Sequence, residues 1–378
     1  IFMKPLYFIS IAILALSCSN PKSIISETDA KKIDLFGSTK KVDNLSPYID
    51  DISVIRLEAN TVIVPTASKI LTLDDKIFLF YGSEILEFDQ KGNYCHTIGK
   101  IGNGPEEFIH LGDVCVDSKR KEIIGVTSKN EIIRYNSTNG SFIKKTKLDI
   151  SGNTVDGILP LKNGGIAAYF SNPYKIEDKE YRLLHFNEDG KIVNKSMEAK
   201  DSDFCISMSF KPSVFQGYDN SYFLSYEFGS CYSYIDKDGE INSSFYMDFG
   251  SKGLSKDYFK DVSDPWMLVG DAFEDKRIKC PTSLMTKNNI YVSAFGENSS
   301  VWNFITDGEK GIRWQSSSAD PVPPVFFLAA DKDYYYFLYL EYGHSETTDP
   351  LKRYVIDKTG LELKDNDNPA VIKVKFKI

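Results

Sequence analysis

Tryptophan and histidine are scarce in this chain of 378 residues, at 3 and 4 copies, and cysteine stops at 6. His96, His110, His185 and His344 form no H-x-H or H-E-x-x-H spacing, which removes the donor pattern of a metallohydrolase. No two cysteines stand in the C-x-x-C arrangement typical of a structural zinc site, and none is expected. Setting Cys18 aside leaves Cys95, Cys115, Cys205, Cys231 and Cys280, an odd, scattered set that reads as small buried hydrophobes with at most one bridge. Basic charge is also short: 45 Lys and Arg against 53 Asp and Glu leave a net charge of −8, which gives no footprint for nucleic acid. No apolar run approaches the roughly 20 residues that a spanning helix needs. No G-x-S-x-G elbow occurs and no Ser, His and Asp triad can be picked out. These absences leave no reaction and no cofactor named.

What is plentiful points to strands. Phe (25) and Tyr (22) carry the aromatic content, and aromatics pack well on a pleated, half-buried surface. With 42% hydrophobic and 26% charged residues the chain can bury a large core, and its length implies two or three domains or one repeat array.

The N-terminus carries an address. After Met3 come Lys4, the 12 apolar-rich residues from Pro5 to Leu16, then Ser17 and Cys18, which is the order of a signal peptide. Leu14-Ala15-Leu16-Ser17-Cys18 resembles a bacterial lipobox, which implies a lipid on Cys18. The expected division is a signal peptide over 1–17, a lipid-anchored tether over 18–46 and the folded domain over 47–378. Ser19-Asn20-Pro21-Lys22 lacks an acidic cluster, which favours a periplasm-facing position over the cell surface.

One element recurs along the chain: a short apolar strand ending in a polar turn with Gly. It ends at Gly92, Gly140, Gly190, Gly239, Gly308 and Gly360, in steps of 48, 50, 49, 69 and 52 residues. Upstream of each lie further runs such as Ile70 to Leu73, Ile77 to Tyr81 and Ile85 to Phe88, and Tyr94 to Ile98 follows the first turn. A module of about 50 residues with four strands is the signature of a propeller blade. The expected fold is all-β, a six-bladed β-propeller of four-stranded antiparallel blades over residues 67–99, 112–148, 157–197, 212–249, 281–316 and 325–378. An early strand, Ile52 to Leu57, and a late one, Val371 to Phe376, are expected to meet in the final blade and remove an open edge.

The junction after the first module, Ile98-Gly99-Lys100-Ile101-Gly102-Asn103-Gly104-Pro105-Glu106-Glu107-Phe108 followed by Val114-Cys115-Val116-Asp117, resembles the NHL-type blade junction, with Glu106 and Glu107 in place of Gly-Gln. That form resembles the six-bladed propeller lipoproteins of Bacteroidetes, and the resemblance implies a propeller in the cell envelope. Physically, the glycines permit positive φ, Pro105 fixes the turn and Phe108 plugs between blades. Gly99, Gly102 and Gly104 are not a phosphate cradle, because no G-x-G-x-x-G spacing and no following Lys-Ser/Thr is present. Glu106 and Glu107 are read as acceptors for loop amides, with cation binding the alternative.

In this blade order the Gly turns share one face, while the loops between second and third strands and the blade junctions share the other. The chain exceeds its repeat on that second face, at Ser171 to Glu180, residues 250 to 280 and Glu341 to Pro350, and long loops on a rigid scaffold are where binding groups gather. Candidate binding residues are Trp266 and Tyr258 in the largest insertion, with Tyr342 and His344 in the last. Trp266 is either a stacking surface for a sugar or peptide or an anchor for the insertion, and His344 either a ligand-facing base or a solvated loop residue. Asp236-Lys237-Asp238-Gly239 is a turn and not a calcium loop, because Met247 stands where the twelfth-position Glu would be. The strip Tyr334 to Tyr339 is core, since alternation turns half of it inward. The expected function is that of a cell-envelope lipoprotein binding a glycan, a peptide or another envelope protein on the long-loop face. The alternative is a propeller enzyme, a lyase or lactonase-like hydrolase, with a polar or metal site at the channel mouth; carboxylates or histidines from three or more blades meeting at the axis would favour it.

Overall fold

Runs in which every residue is apolar alternate along the chain with runs in which every second residue is polar, and the structure explains the difference. The structure, a computed structural model, describes residues 31–64, 67–82, 84–199, 214–217, 222–225, 231–235, 241–254, 276–317, 325–340, 347–364 and 366–378. Its first described segment supplies β1 (Lys31–Asp34), the short α1 (Leu35–Ser38), β2 (Thr39–Lys41) and β3 (Ile49–Arg56), which serve three different sheets.

The strands pair into six sheets. The first holds β4 (Lys69–Leu73), β5 (Lys76–Phe80), β6 (Ile85–Asp89) and β7 (Tyr94–Ile98). The second holds β8 (Leu111–Asp117), β9 (Glu122–Thr127), β10 (Glu131–Asn136) and β11 (Phe142–Lys147), and the third β12 (Gly157–Pro160), β13 (Ile166–Ile176), β14 (Lys179–Phe186) and β15 (Ile192–Glu198). The fourth has β16 (Val214–Gln216), β17 (Tyr222–Ser225), β18 (Cys231–Ile235) and β19 (Ile241–Asp248), with β1 added in parallel outside β19. The fifth has β20 (Lys279–Met285), β21 (Ile290–Phe295), β22 (Val301–Thr306) and β23 (Gly311–Ser316), with β2 added in parallel outside β23. The last sheet is made of β24 (Ala329–Ala330), β25 (Tyr335–Tyr339), β26 (Ala370–Phe376) and β3, with α2 (Pro350–Thr359) between β25 and β26 in sequence.

Within each sheet, neighbours from the same module are antiparallel and follow chain order, as in an up-and-down meander. The first strands β4, β8, β12, β16, β20 and β24 approach one another in that order, and β24 returns to β4, so the sheets radiate from a common axis as in a β-propeller. Pairing of β26 with β3, from Ala370 opposite Arg56 to Phe376 opposite Ile49, joins the two ends of the chain as the sequence suggests. The core lies between neighbouring sheets. Phe78 and Ile85 of the first pack with Val114, Ile123 and Ile133 of the second, and Cys115, Ile124 and Val126 pack with Ile158, Ala168 and Phe170 of the third. Each fully buried Leu, Ile or Phe contributes about 1.5–3 kcal/mol. Strands near the axis are covered on both faces and read as unbroken apolar runs, while the outer β11 and β15 are mostly half-buried or exposed and carry Lys, Thr and Ser.

Four expectations are corrected. The module ending at Gly360 is not a strand and turn: residues 350–359 are helical, started by Asp349, which accepts from the Leu351 and Lys352 amides, and stopped by Gly360 with φ 63°. Asp-Pro at the start and Gly at the end are ordinary helix boundaries, which outweigh a strand-like Tyr-Val-Ile. The stretch from Ser171 to Glu180 is not a loop but the far end of the hairpin β13–β14, with a shift of register between Tyr169 and Tyr174. The tether expected over 18–46 is sheet-bound from Lys31 onward. Two sheets thereby have five strands in place of four. Phe36, between the added strands, sits edge-on to Trp302 and Phe304 at 5.3 and 5.4 Å, with Lys252 Nζ 4.2 Å from its ring centre. That anchorage turns a polar, Lys-rich segment into part of the fold.

Candidate functional site

Strand direction divides the wheel into two ends. The turns at Asp74-Asp75 and at Gly92 lie at one end of the first sheet, and the junction 99–110 lies at the other, where β8 begins. Polar side chains gather around the axis at the junction end, and most come from first strands. Lys69, the opening residue of β4, donates to Asp113 Oδ1 and to the Val114 carbonyl, both at 2.8 Å. Asp113 Oδ2 accepts the Ile158 amide of β12 at 2.9 Å. Three sheets are thus tied through one buried ion pair, in which each side chain is 3% exposed. Burial raises the Asp113 carboxyl, and Lys69 opposes that shift.

Asp156, immediately before β12, is only half-buried and accepts the Ser171 amide at 2.7 Å. Its carboxyl is also raised, first by burial and further by the charge of Asp113. Arg182 of β14 is fully buried and donates to the Ser171 carbonyl at 2.5 Å, so Ser171, at the irregular part of β13, is gripped on both sides. Lys279 opens β20 at the same end, 1% exposed, and donates to the Arg277 carbonyl at 3.1 Å.

The other end of the axis is crossed. Gln216, the last residue of β16, accepts the Val116 amide at 3.1 Å and donates to the Val116 carbonyl at 2.9 Å. These two strands belong to the second and fourth sheets, so the amide reaches past the third and satisfies a free inner strand edge as a neighbouring strand would. The axial space is therefore pinched at the turn end and polar at the junction end.

The described contacts of the junction motif hold its own loop together and tie it to the second sheet. Gly99 has φ 78°, and a Cβ there would stand 2.6 Å from the Phe108 ring. Phe108 is buried against Tyr135, whose hydroxyl donates to the Glu106 carbonyl at 3.0 Å. Glu107 accepts the Gly104 amide at 2.8 Å and pairs with Lys100 at 2.9 Å, which lowers its carboxyl. Lys145 donates to the Glu107 carbonyl at 2.5 Å. Gly102 and Pro105 complete the turn, and Ile101 bridges to Phe108.

Trp266, Tyr258, Tyr342, His344 and Cys18 lie outside the described residues. Cys95 is an exposed thiol and Cys115 a buried one whose acidity burial suppresses. His185 is buried with Ser196 Oγ 3.4 Å from its Nε2, and burial lowers it to about 4. Among the described residues no group of three or more His, Cys, Asp and Glu side chains is placed to hold a metal, and no helix is long and apolar enough to cross a membrane. Lys69, Asp113, Asp156, Arg182 and Gln216 were not singled out from sequence. A charge inside an apolar run, as in Leu111-Gly-Asp-Val-Cys-Val116, is the signal that could have found the ion pair.

Comparison with known proteins agrees with the fold. A presumed exported protein of Bacteroides fragilis superposes with a TM-score of 0.69 at 16% identity, over 92% of this chain and 99% of that one. A member of the DUF4221 family from Bacteroides vulgatus superposes with a TM-score of 0.55 at 10% identity, over 87% and 97%. No curated protein matches. The family model described as "Domain of unknown function (DUF4934)" spans residues 30–375, starting where the structure places β1 and ending in β26, and the chain belongs to that family.

Proposed function

We propose that this protein is an exported cell-envelope lipoprotein in which each of the six sheets is one blade of a closed wheel, and that it binds a ligand or partner protein on the face carrying the blade junctions. The carrying observation is the asymmetry of the axis. The Gln216 bridge crosses it at the turn end, while Asp156, still open to solvent, stands beside the Lys69–Asp113 pair at the junction end. A carboxylate raised by burial and backed by a rigid ion pair is a directional acceptor or donor for hydroxyl and amide groups, which suits a glycan or a peptide. Trp266, Tyr258, Tyr342 and His344 belong to insertions that leave from this same face and would supply stacking and polar contacts around it. The structural kinship to a presumed exported Bacteroides protein supports export, with the signal peptide at 1–17 and Cys18 as the lipidated residue. The lack of an acidic cluster in Ser19-Asn20-Pro21-Lys22 supports a periplasm-facing position over the cell surface.

The enzyme reading, a lyase or lactonase-like hydrolase, has less to stand on. It asks for carboxylates or histidines from three or more blades at the axis, whereas the described cluster brings Asp113 from the second sheet and Asp156 from the start of the third.

The test is a glycan and peptide array probed with wild type, Asp156→Asn and Trp266→Ala. Loss of the same ligand in both variants is the expected result. A ligand retained by both would remove the junction face from consideration, and turnover of a bound ligand would move the reading to the enzyme. Incorporation of labelled palmitate by wild type and not by Cys18→Ser tests the anchor.

A further inference from the structure

The fourth strands of the modules share one irregularity. Where each pairs with its inner neighbour, a single residue is skipped at the second position of the strand: Cys95 on β7, Ile143 on β11, Val193 on β15, Asn242 on β19 and Asp50 on β3. Each is a one-residue β-bulge. Ile143 and Val193 are 42% and 56% exposed, and Cys95 and Asp50 are exposed as well, so these side chains stand off the rim. The fifth sheet has no such bulge: β22 and β23 pair without interruption from Val301 opposite Ser316 to Thr306 opposite Gly311. Its connection is also short, residues 307–310, where 89–93, 136–141, 187–191 and 236–240 serve the first four sheets.

The added N-terminal strands follow this difference. β2 lies on the fifth sheet over the position that is bulged elsewhere: Lys40 stands opposite Ile312, the second residue of β23, with Thr39 and Lys41 opposite Gly311 and Arg313. The Val42 amide then donates to the Arg313 carbonyl at 2.9 Å. On the bulged fourth sheet β1 keeps its distance, pairing from Phe245 to Asp248, beyond Asn242. The physical reason is phase. A strand added in parallel needs evenly spaced N–H and C=O groups along the edge, and an extra residue bends the edge and puts those groups out of step.

We propose that the bulge at the start of a fourth strand closes that stretch of edge to a further strand, and that its absence from β23 selects the fifth sheet as the seat of β2. The five bulges are then guards against edge pairing, with a second copy of this chain as with the chain's own segments. With β2 seated, the short α1 carries the chain on to the fourth sheet, and β1 and β2 both stay on outer edges. The inference depends neither on the ligand nor on the lipid anchor proposed above.

The test is amide exchange on the full chain in three forms: wild type, one with a valine inserted between Gly311 and Ile312, and one with a valine inserted in the turn between Gly308 and Glu309. The first insertion copies the bulge and the second lengthens the turn alone. Protection of residues 39–42 should be lost in the first form and kept in the second, with the amides of β22 protected in both. Protection kept in both forms, or lost in both while β22 stays protected, would overturn the proposal. Deletion of Val193, which straightens the start of β15, is a second arm that stands even if the first insertion opens β22. Under reducing conditions, sedimentation should show concentration-dependent self-association of the deleted form and none of wild type. A deleted form that stays monomeric, or a wild type that associates equally, would overturn the guarding role.

Discussion

Lys69 with Asp113 and Lys76 with Glu87 are two lysine–carboxylate pairs packed in or beside the first sheet, and their surroundings differ. The axial pair is complete: the ammonium also meets the Val114 carbonyl, and the second carboxylate oxygen meets the Ile158 amide. The peripheral pair is not. Lys76 pairs with Glu87 Oε1 and donates to the Ser137 and Thr138 carbonyls of the second sheet at 3.1 Å. Glu87 Oε2 and His96 Nε2 stand 3.3 Å apart, both buried, with no hydrogen bond to either atom. A pair in which each buried polar atom has a partner is a brace, whereas one with unanswered atoms holds its partners less firmly. Near the axis three first strands converge and offer backbone groups to complete the set. At the outer strands only one neighbouring turn is within reach.

The sharpest way to break this comparison is Lys69→Met, which strands a buried carboxylate and is expected to cost about 3–5 kcal/mol in urea unfolding. The double variant Lys69→Met with Asp113→Leu should recover most of that loss, because removing both charges leaves no unpaired group. Recovery failing would mean that the pair acts through packing alone.

Next in size is an acid response that belongs to neither pair. The His185 imidazole is held neutral by burial and titrates at about 4 in the fold, while the unfolded chain takes up its proton near 6.5. The unfolded state therefore binds more protons in that window, and stability falls as pH drops from 6.5 towards 4, by about 3 kcal/mol at its lower limit. His185→Leu should flatten this part of the stability profile, leaving whatever remains to other groups.

A smaller loss is expected for Glu87→Gln, about 1–2 kcal/mol, since Lys76 keeps two carbonyl acceptors and one buried oxygen was already unanswered. If Glu87→Gln costs as much as Lys69→Met, the distinction between a complete and an incomplete pair fails. The least effect should come from Glu107→Ala, whose pairing with Lys100 faces solvent; the shift in melting temperature should be small and shrink further with added salt.

Legibility followed the same gradient from rim to axis. The repeated Gly turns at 92, 140, 190 and 308 lie between the third and fourth strands of their modules, because turn chemistry is local and Gly tolerates positive φ wherever it falls. Glycine at 360 fits the spacing equally well and caps a helix, since a single residue in left-handed conformation serves both purposes. The meeting of β3 with β26 could be expected from the need to cover an edge. The axial pair and the Gln216 bridge could not, because Lys69, Asp113, Asp156 and Gln216 are far apart in sequence and acquire meaning only from which strands face the axis.

Composition and turn spacing alone determined that this chain builds repeated antiparallel sheets, because both act within a few residues and within one module. Only the tertiary structure decided that a polar N-terminal segment is woven into two outer edges, that one module contains a helix, that a lysine and an aspartate from neighbouring sheets pair at one end of the axis, and that a glutamine bridges two sheets at the other. Those outcomes depend on unpaired edges and buried charges finding partners across the closed ring, and such partners exist only once the sheets have packed.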